Sequence, residues 1–140
     1  MKDLEIAKKR LKENALSLCI VKKGKILFES DSEGIGDLVQ AIDELGYTLN
    51  KASVADSIVG KAAALLCIYS KFGSVFAVTI SEEALKVLKM NNVFTEFENL
   101  VPNILNKNKT DICPFEKMVL NCNDAEQALG MFKSFLRRKT

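Results

Sequence analysis

The sequence predicts a three-layer α/β/α fold, a mixed sheet with helices on both faces, and three observations point there. Helical and strand periodicities alternate along the chain, the order expected when helices cover a sheet from both sides. The stretch holding Val54, Ile58, Val59, Ala62-Ala63-Ala64, Leu65, Leu66, Cys67 and Ile68 leaves almost no polar side, as a helix buried beneath other elements does. Residues 74–80, SVFAVTI, are β-rich and apolar throughout, as an interior strand covered on both faces is.

Each element can be justified in turn. Residues 3–14 read as an amphipathic helix, with Leu4, Ala7 and Leu11 on one face and Lys8, Lys9 and Lys12 on the other. Residues 15–21 and 25–30 flank Lys22-Lys23-Gly24 and predict a β-hairpin, ended by Asp31-Ser32-Glu33-Gly34. In residues 36–45, Leu38, Val39, Ile42 and Leu45 recur at helical spacing, and Gly46 is a suitable C-cap. Residues 47–54 read as a connection with at most a short extended piece. The spacing then predicts the buried helix over 56–70, opened by Asp56. Strand 74–80 follows, and Ser81 caps a helix with Glu82 and Glu83 in its first turn, running to Met90. Phe94, Phe97 and Leu100 fall in a loop or short turn, and residues 100–105 read as a strand with Pro102 at its start or edge. Residues 106–111 are turn-like. Pro114 suits the first position of a helix opening at Cys113-Pro114-Phe115-Glu116. Asn123 and Glu126 resemble a capping box for a last helix with Ala128, Leu129, Phe132 and Leu136 on one face.

The bulk numbers bound the class. The 140 residues are 48% hydrophobic and 27% charged, ordinary for one globular domain, expected here over 1–140. Net charge is +2, which by itself gives no argument for nucleic acid. Basic residues cluster at Lys8 to Lys12, Lys22 to Lys25 and Arg137 to Lys139, whereas residues 31–44 are acidic. A solvated surface explains this patterning, and aromatic residues for base stacking are scarce. The longest apolar run, 62–69, falls short of the ~20 residues a bilayer span needs. The charged N-terminal stretch does not read as a secretory signal, so a cytoplasmic location is expected, without a membrane partner. Four cysteines, Cys19, Cys67, Cys113 and Cys122, form no CxxC and read as free thiols. There is no histidine. That removes Ser–His and Cys–His nucleophile activation and histidine-ligated zinc.

The stretch Ala55-Asp56-Ser57-Ile58-Val59-Gly60-Lys61-Ala62-Ala63-Ala64, with Cys113-Pro114-Phe115-Glu116-Lys117 much later, resembles a family of small prokaryotic proteins of unknown function. That family is placed in the cytidine-deaminase-like fold class. The resemblance covers most of the chain and implies a mixed sheet between helices, with one hydrophobic helix beneath the site. The wider deaminase class holds zinc with a His or Cys ligand at the start of the buried helix, where a Glu moves protons, and a Pro-Cys-x-x-Cys at the start of the next. Here the first helix start offers Asp56, Ser57 and Gly60-Lys61-Ala62, and the second Ser81-Glu82-Glu83. No imidazole or thiol stands at either, so no zinc or other cofactor is expected.

Two local candidates remain. Gly60-Lys61 invites comparison with a phosphate loop, but Ala55 and Ala62 stand where that pattern needs Gly and Ser or Thr. Asp56, Ser57, Gly60 and Lys61 on the first turns of a buried helix would still attract an anion. The structural alternative is that Asp56 caps, Gly60 permits close packing and Lys61 snorkels. Cys113, at a helix start with Glu116 and Lys117 nearby, could be a reactive thiol or simply a packed residue. A metal site from Asp111, Cys113 and Cys122 matches no common spacing. Asn103, Asn106 and Asn121 could read a ligand's polar edge or serve turns. The favoured reading is a non-catalytic domain binding a small anionic or nucleotide-like ligand through Asp56, Ser57, Gly60, Lys61, Cys113 and Glu116. The alternatives are an enzyme or sulfur carrier using Cys113, and a self-associating structural protein. A homo-oligomer is an open expectation because related folds often assemble.

Overall fold

The structure, a computed structural model, describes residues 2–32 and 34–139. Glu33 of the predicted hairpin-ending turn and the two ends of the expected 1–140 domain, Met1 and Thr140, lie outside the described residues.

A five-stranded mixed sheet runs in the order β2-β1-β3-β4-β5. Strands β1 (Leu18–Lys22) and β2 (Lys25–Ser30) form the predicted hairpin. Its two-residue turn, Lys23-Gly24, has positive φ at both positions, 52° and 78°, the geometry that matches strand twist. The Asp3 carboxylate accepts both turn N–H groups at 2.9 Å, which ties the turn to α1 (Lys2–Glu13). Strand β3 (Ser53–Val59) lies antiparallel to β1, and β4 (Ser74–Ser81) and β5 (Phe94–Val101) continue the sheet in parallel.

Side-chain alternation along the strands divides the core in two. On one face Leu4, Ala7 and Leu11 of α1 pack on Cys19, Val21, Ala55 and Phe76. On the other, α2 (Gly36–Leu45), α3 (Lys61–Ser70), α4 (Glu82–Met90) and α6 (Ala125–Lys139) close over Leu18, Ile20, Val54, Val75 and Ala77. Helix α3 is the most deeply covered, with residues 61–67 all buried. Its three alanines let the helix axis approach the sheet, so it lies beneath its neighbours rather than on the surface. Gly46 ends α2 as expected, donating its N–H to the Ile42 carbonyl. Ser81 caps α4 by accepting the Ala84 N–H at 3.1 Å.

Four expectations are corrected. The predicted helix over 56–70 is strand β3 followed at once by α3, so Asp56 and Ser57 are strand residues and not a helix cap. Phe94, Phe97 and Leu100, expected in a loop or short turn, lie on edge strand β5 (Phe94–Val101). The strand expected over 100–105 ends at Val101, and only Leu105 makes an isolated bridge, to Ile112. The last helix is capped by Asp124, not Asn123: its Oδ1 accepts the Gln127 N–H at 2.9 Å. No helix among the described residues is long and apolar enough to cross a membrane.

Candidate functional site

The three parallel strands end together, and in open α/β sheets the carboxyl ends of the strands are where ligands bind. β3 passes into α3 through Gly60 alone, whose backbone is extended (φ −97°, ψ −176°). No local side chain caps α3. Its free N–H groups are met from far along the chain by Glu116 on the short α5 (Pro114–Met118). The Lys61 N–H donates to Glu116 Oε1 at 2.8 Å and the Ala62 N–H to Oε2 at 2.7 Å. A carboxylate here satisfies orphan donors and the positive end of the helix dipole together. Gly60 makes room for it, since a Cβ at that position would lie 2.3 Å from Glu116 Oε1. Burial raises the Glu116 pKa, the two N–H groups and the Lys61 charge pull it back, and burial prevails.

Two clefts share Glu116 and Ile104 as walls. The smaller, about 360 Å³, is lined by Lys61, Ser81, Glu82, Glu83 and Asn103 among others. It therefore sits between the starts of α3 and α4. Lys61 is only 7% exposed, and its ammonium makes no hydrogen bond or ion pair within 4 Å among the described residues. Its stem is covered while the ammonium keeps solvent contact in the cleft.

The larger cleft, about 480 Å³, has an apolar wall including Leu18, Leu38, Ala63 and Phe115, with Asp56, Ser57, Cys113, Asn106, Asn108 and the exposed Lys107 among its polar groups. Asp56 lies opposite Leu18 in the β1–β3 register, so its side chain shares the face of the sheet that α3 covers. Burial pushes its carboxyl up to about 7, against hydrogen bonds from the Ile58 and Ser57 N–H groups, and Asp37 adds to the rise. A carboxyl titrating near neutrality in a cleft marks a candidate functional position.

The predicted residues thus fall into two groups. Asp56, Ser57, Gly60, Cys113 and Glu116 line the larger cleft, and Lys61 and Glu116 the smaller. Asn103 and Asn106 border the clefts, whereas Asn121 lines neither. The supposed help of Lys117 for Cys113 is corrected, because the Lys117 ammonium is engaged by Asp111. Cys19 and Cys67 are core residues; burial pushes the Cys19 thiol up to about 11 and raises Cys67 further. The basic stretch on α1 is answered within the chain: Lys8 and Lys12 pair with Glu96 and Glu98, and Arg10 with Glu29. A cleft wall that the sequence did not single out is Ile104, on the segment between β5 and α5 and shared by both clefts.

Zinc does not fit the two helix starts. Where a zinc centre of this architecture needs thiolate, imidazole and a free glutamate, α3 offers Gly60-Lys61-Ala62 and α4 offers Ser81-Glu82-Glu83. A lysine would repel the ion, and Glu116 is already hydrogen-bonded to the backbone. Among the described residues, no group of three or more His, Cys, Asp or Glu is placed to hold a metal.

A mixed five-stranded sheet with paired helix starts at the ends of β3 and β4 defines a cytidine-deaminase-like fold, here without the residues for zinc. The chain belongs to the TM1506 family, the domain of unknown function DUF1893, whose model matches residues 6–136. It is similar to the crystal structure of a DUF1893 family protein from Thermotoga maritima, at 30% identity and a TM-score of 0.86, covering 95% of this chain and 89% of that one. It is also similar to a diaminohydroxyphosphoribosylaminopyrimidine deaminase/5-amino-6-(5-phosphoribosylamino)uracil reductase from Thermotoga maritima. That match has 16% identity and a TM-score of 0.50, covers 85% of this chain and 41% of that one, and shows the fold alone. No curated protein matches the chain.

Proposed function

We propose that the protein binds a small nucleotide-like ligand without deaminating it, the ring lying in the larger cleft and the anionic group directed at Lys61 in the smaller. The observation that carries this reading is Lys61, whose stem is covered while its ammonium, without an ion pair within 4 Å among the described residues, opens into a cleft that shares a wall with an apolar one. A lysine whose stem is covered and whose ammonium opens into a cleft is held in place to meet an anion there. An apolar cleft with few converging polar groups suits a flat heteroaromatic ring, and Asp56 can present either a donor or an acceptor near neutral pH. The helix-end N–H groups are already taken by Glu116, so the lysine and not the helix terminus is the anion contact. The likeness to a deaminase of phosphoribosylated pyrimidines is consistent with this ligand class.

Calorimetry with purine and pyrimidine nucleoside monophosphates tests it. Lys61→Met should weaken binding of a monophosphate at least about tenfold while leaving binding of the unphosphorylated nucleoside unchanged, because only the ionic contact is lost. Absence of binding by any nucleotide, or equal affinity in the variant, refutes the proposal.

A second reading is favoured by one observation. Cys113 is the only one of the four cysteines that is not buried, and it borders the larger cleft. As a nucleophile or sulfur carrier it would have to react with alkylating agents faster than a peptide cysteine.

A further inference from the structure

Strand β5 forms one edge of the sheet. It is eight residues long and carries no lysine or proline, two residue types that commonly guard such edges against pairing. Phe94, Phe97 and Leu100 on it are 45%, 38% and 47% exposed. The segment Phe94-Thr95-Glu96-Phe97-Glu98-Asn99-Leu100 also has the same residue character in both directions about Phe97.

We propose that β5 is the contact between two copies of this chain, paired antiparallel about a two-fold axis at Phe97. An isologous contact requires a patch that complements itself, and this strand does so residue by residue. Phe97 meets Phe97, Phe94 meets Leu100, Thr95 meets Asn99 and Glu96 meets Glu98. Apolar pairs at these positions stabilise a sheet, while like charges opposite one another destabilise it. The Glu96–Glu98 pairing is neutralised in advance by α1. Lys8 lies 2.7 Å from Glu96 and Lys12 is paired with Glu98, and both ammoniums also sit over the Phe76 ring, at 5.0 and 5.5 Å. Across the axis, carboxylates and ammoniums would therefore be equal in number. The result is one continuous sheet running through both copies, with the β5 backbone groups satisfied. The opposite edge is less suited, since β2 begins with the exposed Lys25 and lacks this symmetry.

Light scattering coupled to gel filtration, on the 140-residue chain at about tens of micromolar, tests the proposal. The wild type should run as a dimer. Phe97→Lys should run as a monomer with an unchanged circular dichroism spectrum, because Phe97 lies on the rim of the fold. Phe97→Cys provides the register. Two thiols on the axis should cross-link to each other under mild oxidation, and mass spectrometry should find the peptide spanning position 97 joined to its own copy. Thr95→Cys should give no such product. A monomeric wild type, a Phe97→Lys variant that stays dimeric, or cross-linking at 95 in preference to 97 would overturn it.

Discussion

Gly60→Ala is the sharpest perturbation of the site. The backbone at Gly60 is extended, a conformation alanine adopts without strain, so the substitution acts only through its methyl group. That methyl would lie 2.3 Å from Glu116 Oε1. The carboxylate is the tip of a flexible side chain and can swing away, so the clash itself is cheap. What is lost is its pair of bonds to the Lys61 and Ala62 N–H groups. Hydrogen bonds to a charged group contribute about 1.5–3 kcal/mol each. Here the carboxylate also regains water, and burial already outweighs the bonds in setting its pKa, so the loss falls near the lower bound for the pair. Alanine returns roughly 0.4–1 kcal/mol through the unfolded chain. The expected net destabilisation is about 2–2.6 kcal/mol, a fall in Tm of roughly 6–10 °C for a chain of this length. A double-mutant cycle with Glu116→Ala isolates the cause. Urea unfolding should show Gly60→Ala to be neutral or slightly stabilising once Glu116 is gone. Equal destabilisation in both backgrounds would refute the role assigned to this contact.

Two further outcomes follow from the buried groups. The folded pKa of Asp56, about 7, lies above its ordinary value, so folding favours the protonated form. Its contribution is complete below pH ~4 and is lost as the pH rises through about 7. Urea titrations from pH 4 to 8 should show this decline shallower in Asp56→Asn than in wild type, with the variant the more stable at pH 8; parallel profiles would contradict it. Under native conditions a thiol reagent should modify Cys113 first, leaving Cys19 and Cys67 untouched until the chain unfolds. Modification of either core cysteine at the rate of Cys113 would argue against the packing described.

Much of the architecture was legible in the sequence, because α1, the hairpin, α2, β4 and α4 each carry their own period or cap. Strand β3 was not. Its apolar residues run on into those of α3 with Gly60 the single break between them, and a short apolar run cannot be assigned to strand or helix by periodicity. Asp56 reinforced the error, since an acid before an apolar stretch is also what a helix cap looks like. Strand β5 was obscured by Glu96 and Glu98, whose balancing lysines lie on α1, at the other end of the chain. The site was visible only in pieces. Gly60-Lys61 and Glu116 each stood out, but nothing local shows that the carboxylate of one reaches the backbone of the other.

That junction also bears on what the cleft can do. A helix start buried beneath a sheet must find an acceptor for its N–H groups, and α3 finds it in Glu116 rather than in a ligand. The cations that line the clefts are then Lys61 in the smaller and the exposed Lys107 in the larger, and Lys61 is the one held by its surroundings. Unlike zinc it cannot lower the pKa of a bound water to make hydroxide, but it can hold an anion and orient what is attached to it. On the proposed reading, Glu116 fixed to the backbone at one side and Asp56 able to lose or keep a proton at the other would hold a ligand rather than activate water. Moving the cation should therefore change which ligands bind without creating turnover: an Ala62→Lys substitution in Lys61→Met protein should not restore monophosphate binding, because residue 62 lines the larger cleft and not the smaller. Calorimetry on the double variant checks this, and recovery of wild-type monophosphate affinity would show that the position of the charge does not matter.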